Sequence, residues 1–344
     1  MAKIVRFHKL GGPKVLKIED VPSRELSEGE IRLSVQAIGL NRAESMFMHG
    51  YYLEPAQLPA TLGYEASGIV TAVGADVDRS WLNKKVSTMP AFSMNQYGVL
   101  GNEVVVPMHA LAEYPSHLTP IEATSIWMQY MTAYGALVEF GHVKKGEFIL
   151  ITAASSSAGL AAIQIVKAEG AISIATTRTG AKRAELLALG AAHVIVTDEE
   201  DLVARVKDIT GGVGARIIFD PIAGPLLDKL AEAAAPGATI FEYGWLSGAQ
   251  TSFPLVLALQ KALSIRGYWL AEITAPELLS GHATGGLMNT ERLARAKNYV
   301  YEGVKTGQLK PKIAKTFRFE NVVEAYEYME SNEQIGKIVL TVGE

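Results

Sequence analysis

A run of small residues follows a strongly apolar stretch in the middle of the chain. The apolar stretch covers residues 148–151, the small residues continue to Gly159, and a helical pattern of apolar residues begins there. A dinucleotide pyrophosphate requires this arrangement, because it needs a tight turn, a close approach of the backbone and the free N–H groups of a helix N-terminus. The residues predicted to bind phosphate are Ser155, Ser156, Ser157, Ala158 and Gly159.

The glycine spacing of this loop departs from the G-x-G-x-x-G fingerprint of dinucleotide-binding proteins. Its three positions fall on Ala154, Ser156 and Gly159, so that only the third glycine is present. On its own, the loop could equally be a place where small residues let a helix pack closely on a sheet. Its position after the first strand of a predicted α/β region, and three serine hydroxyls that can donate to phosphate, favour a nucleotide site.

The residues after the second strand of that region distinguish between the two nicotinamide cofactors. An acidic residue there binds the ribose 2′-OH of NAD, whereas cations accommodate the 2′-phosphate of NADP. Here Thr177 and Arg178 are followed by Lys182 and Arg183, without an acidic residue. The alternative, an ordinary solvated helix start, is disfavoured because cations at a helix N-terminus oppose the macrodipole. The sequence therefore predicts NADPH, with Thr177, Arg178 and Lys182 in its binding site.

The composition argues against several other kinds of chemistry. The chain has 344 residues, a formal net charge of −4 and no cysteine, so disulfides, thiolate nucleophiles and sulfur-ligated zinc sites are excluded. Its seven histidines are scattered singly from His8 to His282, without metal-ligand spacing. The balanced charge argues against nucleic-acid and acidic membrane partners, and no stretch is typical of a signal peptide or a transmembrane helix. A cytoplasmic protein is expected.

The predicted elements change in character along the chain. The first third has short strands at residues 31–35, 67–73, 85–88 and 103–106. From about residue 120, helical patterns alternate with buried strands, which indicates βαβ units and a parallel sheet. Its strands are predicted at residues 148–152, 172–177, 194–196, 216–219, 238–241 and 264–268. Its helices are predicted at residues 159–168, 181–189, 202–209 and 226–234, the last ended by Pro236-Gly237.

The C-terminal part of the chain again has the mixed pattern of elements seen in the first third. Helices are predicted around residues 291–306 and 322–330, and a closing strand at residues 337–341. We therefore expect residues 1–122 to form the first part of a β-rich domain, residues 123–269 to form the nucleotide-binding domain, and residues 270–344 to return and complete the first domain.

Five motifs occur along the chain in a characteristic order: FHKLGGPKVL at residues 7–16, GLNRAE at 39–44, GYEASG at 63–68, QYMTAY at 129–134 and GKIVL at 336–340. By these motifs the chain resembles the quinone oxidoreductase branch of the medium-chain dehydrogenase/reductase superfamily. The resemblance implies an α/β fold in which a GroES-like β-rich catalytic domain is split by an inserted Rossmann domain with a doubly wound parallel sheet. It also implies a cleft between the domains and a homodimer in which the last Rossmann strands, here residues 264–270, pair across subunits.

One departure from the superfamily concerns zinc. Its zinc-dependent members hold the metal with an early cysteine and with the histidine of a glycine-histidine-glutamate block. This chain has no cysteine and has Tyr64 at the histidine position. A phenol with a pKa of about 10 is a poor substitute for a neutral imidazole ligand. We therefore expect a zinc-independent enzyme.

The resemblance also assigns roles to individual residues. It places Asn41 near the nicotinamide ribose and the substrate, although the amide could instead tie a turn together. It places Tyr52 in the cleft, where the phenol could donate a hydrogen bond or a proton to a developing enolate oxygen; packing or loop anchoring is the alternative, and Tyr51 could serve if the loop is shifted by one residue. The remaining expected cofactor contacts, some of which could be local helix bonds, are Gln129, Thr132 and Gly244.

These observations lead to one preferred function and to rivals of two classes. The preferred function is NADPH-dependent reduction of quinones or α,β-unsaturated carbonyl compounds by hydride transfer without zinc. An enoyl-thioester reductase or a metal-free alcohol dehydrogenase is the enzymatic alternative. A non-catalytic NADPH-binding protein, like the crystallin relatives of the family, is the alternative from another class, because fold does not dictate activity.

Overall fold

The chain folds into two compact units in a computed structural model that describes residues 1–279 and 290–343. The first unit comprises Met1–Met128, Ile273–Lys305 and Pro311–Glu344, and the second comprises Gln129–Glu272 and Thr306–Lys310. His282 and part of the predicted return segment lie outside the described residues. The division of the sequence after residues 122 and 269 stays a prediction.

The strands are concentrated in two large sheets. Within the described residues they are β1 (Ala2–Arg6), β2 (Lys17–Val21), β3 (Glu30–Gly39), β4 (Glu65–Val73), β5 (Lys85–Thr88), β6 (Glu103–Pro107), β7 (Leu111–Glu113), β8 (Phe148–Ile151), β9 (Ile172–Thr177), β10 (His193–Val196), β11 (Ala215–Asp220), β12 (Ala234–Glu242), β13 (Ser264–Gly267), β14 (Ile313–Arg318) and β15 (Lys337–Thr341). Strands β1 and β2 form a separate antiparallel pair.

The helices are mostly short. They are α1 (Arg42–His49), α2 (Met94–Tyr97), α3 (Pro120–Ala123), α4 (Trp127–Tyr134), α5 (Ser157–Ala168), α6 (Arg183–Ala188), α7 (Leu202–Ile209), α8 (Leu226–Ala233), α9 (Leu255–Lys261), α10 (Ala271–Thr274), α11 (Thr290–Lys305) and α12 (Val322–Ser331). None of the helices in the described part of the chain combines the length and the apolar character that a membrane span needs.

A six-stranded sheet organises the second unit. Its order is β10-β9-β8-β11-β12-β13, and each neighbouring pair is parallel. Numbered within the sheet, this is the order 3-2-1-4-5-6 of a doubly wound Rossmann sheet. The order reverses between β8 and β11, and ligands of such sheets bind beyond the carboxyl ends of the strands at that reversal. The predicted fold class of this part is confirmed.

The first unit contains a predominantly antiparallel seven-stranded sheet. Its order is β14-β15-β3-β4-β5-β7, and β6 also pairs with β3. The ten-residue strand β3 lies at its centre and pairs with β4, β6 and β15, all antiparallel. Antiparallel pairing brings the end of β3 beside the beginnings of β4 and β15, since Gly39 pairs with both Glu65 and Val339. Polar residues at these three positions therefore meet at one edge of the sheet.

Several details of the elements differ from the sequence-based expectation, among them the following two. Helix α8 ends at Ala233, and Pro236-Gly237 lies inside β12 instead of ending the helix. The pair lies where the register between β11 and β12 is irregular, and Gly237 has a φ of 71°. The strand therefore has a bulge there. Proline is tolerated at a bulge because its backbone nitrogen does not have to donate a hydrogen bond to the neighbouring strand. Strand β14 was not predicted. Its alternation is weak because most of its residues are exposed or half-buried.

Candidate active site

The loop between β8 and α5 has the geometry of a phosphate-binding turn. The Ser156 hydroxyl caps α5 by accepting a hydrogen bond from the Gly159 N–H at 3.1 Å. A Cβ atom on Gly159 would lie 2.6 Å from the Cα of Ala154, so the helix can approach the strand only with glycine there. Ala153 has a φ of 44° and makes the left-handed turn that a glycine makes more easily. The loop therefore keeps a tight turn although two of the usual glycines are absent.

One of the cations after β9 lies beside this loop. The Lys182 Nζ is 3.3 Å from the Ser155 hydroxyl, and Arg178 is exposed at the carboxyl end of β9. Thr177 is buried, and its hydroxyl donates to the Thr179 carbonyl at 3.4 Å. The structure thus brings Lys182 together with the predicted phosphate loop.

Arg183 has a different role from its neighbours. Its guanidinium pairs with Glu200, which also accepts from the Arg205 Nε at 2.9 Å. The Val196 N–H, and after it these two arginines, hold the pKa of the Glu200 carboxyl below its usual range. Arg183 is therefore neutralised within its own unit and is not a candidate for binding a ligand phosphate.

Helix α4 presents a buried amide that suits a nicotinamide carboxamide. Gln129 and Thr132 are buried and lie three residues apart, on the same face of the helix. Within the described residues, the Gln129 Oε1 atom has no hydrogen-bond donor. A buried acceptor without a partner is costly, and a carboxamide NH₂ group is the kind of donor that would satisfy it. The residues of this unit therefore fit a nicotinamide dinucleotide.

Gly244 follows β12 and approaches the chain after β11. A Cβ atom there would lie 2.9 Å from the Pro221 carbonyl oxygen. The structure thus gives this glycine a packing reason of its own, because the two carboxyl-terminal loops could not otherwise meet so closely. Its predicted closeness to a nicotinamide ring stays a prediction.

Asn41 lies in a buried polar network at the sheet edge of the first unit. Its Oδ1 accepts from the Lys337 Nζ at 2.5 Å, and its Nδ2 donates to the Gly39 carbonyl at 3.2 Å and to the Glu44 Oε1 at 3.1 Å. Lys337 also contacts the Glu65 carboxylate at 2.5 Å, and both side chains are fully buried. Both polar atoms of the Asn41 amide therefore have hydrogen-bond partners inside the unit, which agrees with the alternative that the amide ties a turn together. Its contact with cofactor or substrate stays a prediction.

Glu44 is the second acidic member of this network. Burial raises the pKa of its carboxyl, against the effect of the groups that donate to it. The Asn41 N–H donates to its Oε2 at 2.9 Å and the Tyr326 hydroxyl to the same atom at 2.7 Å, while the Tyr64 N–H donates to Oε1 at 3.1 Å. The network therefore fixes the start of α1 and the backbone of Tyr64.

Tyr52 lies in the segment after α1. It is half-buried, its ring makes an edge contact with Phe47 at 6.4 Å between centroids, and its side chain is near enough to the Tyr64 phenol to contribute, after burial, to the raised pKa of that phenol. Tyr51, the alternative, is exposed and lies beside the His49 ring at 5.7 Å. The structure thus gives Tyr52 a defined polar neighbour and Tyr51 a surface position. The catalytic role of Tyr52 stays a prediction.

Comparison with known proteins gives consistent results. Two family descriptions match: the alcohol dehydrogenase GroES-like domain over residues 27–117 and the zinc-binding dehydrogenase over residues 158–281. A quinone oxidoreductase of Salmonella typhimurium is 30% identical over 342 residues, 99% of each chain. The chain belongs to the quinone oxidoreductase branch of the medium-chain dehydrogenase/reductase superfamily. This confirms the recognised family.

Two further relatives are similar to this chain over nearly their whole length. The solved structure of the Escherichia coli quinone oxidoreductase complexed with NADPH is 28% identical, superposes with a TM-score of 0.87, and matches 98% of this chain and 99% of its own. A 2-haloacrylate reductase of a Burkholderia species is 28% identical over 344 residues, 99% of this chain and 98% of its own. The activity supported by these names is that of an oxidoreductase.

A catalytic zinc ion does not suit the residues of this member of the family. Tyr64 stands at the position of the zinc-binding histidine, and its side chain is buried. Burial raises the pKa of that phenol well above its usual range, which opposes the phenolate form that a metal would need. In residues 1–279 and 290–343, no three His, Asp or Glu side chains meet in a way that could hold a metal ion.

A pair of carboxyl groups at the carboxyl edge of the parallel sheet was missed by the sequence reasoning. Asp220 ends β11 and Glu242 ends β12, and the two are register partners. Asp220 accepts from the Thr152 hydroxyl and from the N–H groups of Ile222 and Ala223 at 3.0 and 2.6 Å. Burial, and then the charge of Asp220, raises the pKa of Glu242 to about 9. An acidic residue directly after the apolar pair Ile240-Phe241 was the available signal.

Proposed function

We propose that the protein is an NADPH-dependent oxidoreductase that reduces quinones or α,β-unsaturated carbonyl compounds by hydride transfer without zinc. The observation that carries this proposal is the position of the Lys182 ammonium, 3.3 Å from the hydroxyl of Ser155 in the turn before α5. A cation there can meet the extra phosphate of NADPH next to the turn that suits the pyrophosphate. The names of the quinone oxidoreductase relatives, one of them solved with NADPH, support both cofactor and substrate class.

When bound, NADPH supplies the hydride, and a quinone, NADPH and one proton give a hydroquinone and NADP⁺. The protein would contribute binding, orientation and the proton. The turn before α5 holds the pyrophosphate, while Arg178 and Lys182 bind the 2′-phosphate through charge-assisted hydrogen bonds. Gln129 Oε1 accepts from the carboxamide and so orients the nicotinamide ring. Tyr52 donates its phenolic proton to the substrate oxygen on which negative charge develops.

A substrate panel separates this function from its rivals. The protein is assayed with NADPH and NADH against phenanthrenequinone, a simple enone, a 2-haloacrylate, an enoyl thioester and a primary alcohol. Steady NADPH oxidation with the quinone or an activated alkene supports the proposal, and the named activity of the Burkholderia relative makes the haloacrylate a useful member of the panel. Turnover of the thioester or the alcohol alone supports the enzymatic alternatives. Tight NADPH binding without any turnover supports the non-catalytic one.

The double variant Arg178→Ala/Lys182→Ala is the cofactor arm of this experiment. We expect the Kd for NADPH to rise about tenfold or more and the Kd for NADH to change less than about twofold, because only NADPH has the phosphate that these cations bind. Fluorescence titration of the reduced cofactor measures both constants. Lys229→Ala, at an exposed lysine on α8 of the same unit, is the matched control. Equal losses for both cofactors would count against the phosphate site.

We further propose that the protein acts as a homodimer. Strand β13 forms one edge of the parallel sheet in the described part of the chain. The neighbouring helix α9 carries large apolar side chains on its surface, including Val256, which is 66% exposed, and Leu259, which is 74% exposed. An edge strand beside an exposed apolar patch is costly for a monomer and suits an isologous contact with a second copy.

Leu259→Glu tests this contact. We expect wild-type protein to sediment as a dimer at micromolar concentration and the variant to shift towards monomer, because the new charge would be buried without a partner at the interface. Leu187→Glu, at a half-exposed leucine on α6 of the same unit, controls for the effect of charge alone. A wild-type protein that sediments as a monomer throughout this range contradicts the proposal.

A further inference from the structure

Glu54 is half-buried in the segment after α1, and hydrogen bonds fix its carboxyl group to the start of α2. Its Oε1 accepts from the Ser93 hydroxyl and from the Asn95 Nδ2, the latter at 3.0 Å. The Asn95 side chain also donates to the Pro55 carbonyl at 3.0 Å and accepts from the Gln57 N–H at 2.8 Å. The orientation of the Glu54 carboxyl is therefore set by α2 and does not depend on the rotamer freedom of the side chain.

The second oxygen of this carboxyl is an acceptor without a donor. Within the described residues, the Glu54 Oε2 is buried and has no hydrogen-bond partner. An ionised carboxyl can only accept hydrogen bonds, and a buried acceptor that is left unsatisfied is costly. Rotation of the carboxyl does not remove this cost, because Ser93 and Asn95 both donate to the other oxygen. The Oε2 atom is therefore suited to accept from a hydroxyl or N–H group of a bound molecule.

Glu54 and the predicted catalytic tyrosine lie on the same inner side of their segment. Tyr52, Glu54 and Ala56 are half-buried, whereas the residues between them are exposed. Tyr52 and Ala56 pack against the hydrophobic core of the first unit. Burial first, and after it the Tyr52 side chain and the Glu54 charge, raise the pKa of the Tyr64 phenol, which agrees with a position of both side chains near that phenol. A molecule that reaches Tyr52 is therefore close to Glu54 as well.

The spacing of these two residues indicates the shape of such a molecule. Alternate residues of an extended segment are about 6–7 Å apart. A six-membered ring spans a similar distance when it carries one oxygen at each end. If a carbonyl oxygen at one end lies at Tyr52, a hydroxyl group at the other end can donate to the Glu54 Oε2. A 1,4-quinone has only acceptors at both ends, and its second carbonyl would face a carboxylate that has no hydrogen to donate.

We propose that Glu54 is a specificity-determining residue, which binds a substrate hydroxyl group through its Oε2 atom and so favours cyclic enones with a hydroxyl across the ring from the carbonyl. The inference rests on the proposed reductase function, in which Tyr52 meets the carbonyl oxygen of the substrate. It narrows the proposed substrate class to hydroxylated enones. Glu54 takes part in no covalent step, and Ser93 and Asn95 act through Glu54 by fixing which of its oxygens accepts from the substrate.

The central experiment compares two enones in the full chain with NADPH. 4-Hydroxycyclohex-2-enone carries the donor, and in 4-methoxycyclohex-2-enone an ether that can only accept replaces it. In Glu54→Gln the amide oxygen keeps the hydrogen bonds from Ser93 and Asn95, so that the NH₂ group takes the place of Oε2 and turns the acceptor into a donor. Glu28→Gln, at an exposed glutamate of the first unit, is the matched control. Thermal melting of each variant establishes that it is folded.

We expect wild type and Glu28→Gln to have a kcat/KM about tenfold higher for the hydroxyenone than for its methyl ether, because the hydroxyl donates to a charged acceptor. In Glu54→Gln this ratio should fall to about one, while the KM for NADPH changes less than about twofold. A wild-type ratio near one overturns the proposal. A ratio that is equally high in wild type and Glu54→Gln reflects the size of the methyl group and overturns it as well.

A binding measurement keeps this inference separate from the proposed function. Ligand-observed NMR with NADP⁺ in place of NADPH gives the Kd of each enone without hydride transfer. A hydroxyenone that binds about tenfold more tightly than its ether to wild type, but not to Glu54→Gln, establishes the contact even if neither enone is reduced, in which case only the reductase proposal fails. Reduction of both enones without a preference contradicts the Glu54 contact alone. Binding of neither enone also overturns that contact.

Discussion

Lys337→Met is expected to lower the free energy of unfolding of the first unit by about 3–5 kcal/mol, since it removes one partner of a buried ion pair. The Lys337 ammonium is completely enclosed and contacts both the Glu65 carboxylate and the Asn41 Oδ1 at 2.5 Å. Without it, the buried Glu65 carboxylate still accepts from the N–H groups of Trp127 and Met128, at 3.0 and 2.9 Å, but it has lost its counter-charge, and the Asn41 Oδ1 has lost the ammonium donor. Urea unfolding followed by tryptophan fluorescence measures the loss.

Two further variants show whether the charge is responsible. Lys85→Met, at an exposed lysine on β5 of the same sheet, should change stability by less than about 0.5 kcal/mol. Glu65→Gln/Lys337→Met should recover about half of the loss, because the uncharged amide still accepts from the two N–H groups and can donate to Asn41. If the double variant is no more stable than Lys337→Met, the loss comes from altered packing and the electrostatic explanation is wrong.

Glu242→Gln is expected to remove a pH dependence of stability in the second unit. The usual pKa of 4.5 for this carboxyl is raised to about 9 in the folded protein, by burial first and by Asp220 second. Between these values the folded state holds one proton more than the unfolded state, so wild-type stability is highest at low pH and falls as the pH rises towards 9. One proton corresponds to about 1.4 kcal/mol per pH unit, so wild type should lose about 2–3 kcal/mol relative to Glu242→Gln between pH 6 and pH 8.

The geometry explains why this proton is retained. Both Glu242 oxygens are buried, and neither has a donor among the described residues when the two carboxyls are ionised. A single proton shared with Asp220 supplies the missing hydrogen bond and removes the repulsion between like charges. Urea titrations at pH 6, 7 and 8 test the prediction, with Asp228→Asn on α8, an exposed acid of the same unit, as control. Parallel pH slopes for wild type and Glu242→Gln would show that the pair does not hold the proton.

Much of the nucleotide-binding unit was predictable because its signals are local. An apolar strand, a run of small residues and a helix start occupy one continuous segment, and alternating strands and helices allow few sheet topologies. The strands β9 and β15 and the helix α7 match the predicted bounds at both ends. The bulge at Pro236-Gly237 was misjudged, because turn residues inside a strand have the same local signal as the end of a helix.

The polar clusters were not predictable in the same way. Asn41, Glu65 and Lys337 meet only because β3 pairs with both β4 and β15, which are separated by more than 250 residues of sequence. Asp220 and Glu242 meet because β11 and β12 are in register, and a shift of one residue would turn one of the side chains to the other face. Spacing along the chain contains no information about such meetings.

The sequence by itself determined the fold class, the family and the segment that suits a phosphate, because each depends on the residue types and order of a continuous stretch. The tertiary structure alone decided which polar groups share a buried environment, and so which of them keep or lose a proton. Desolvation and charge act through space over a few ångströms. Partners that are distant in sequence are therefore decided by strand pairing, and the Glu65–Lys337 and Asp220–Glu242 pairs became visible only with it.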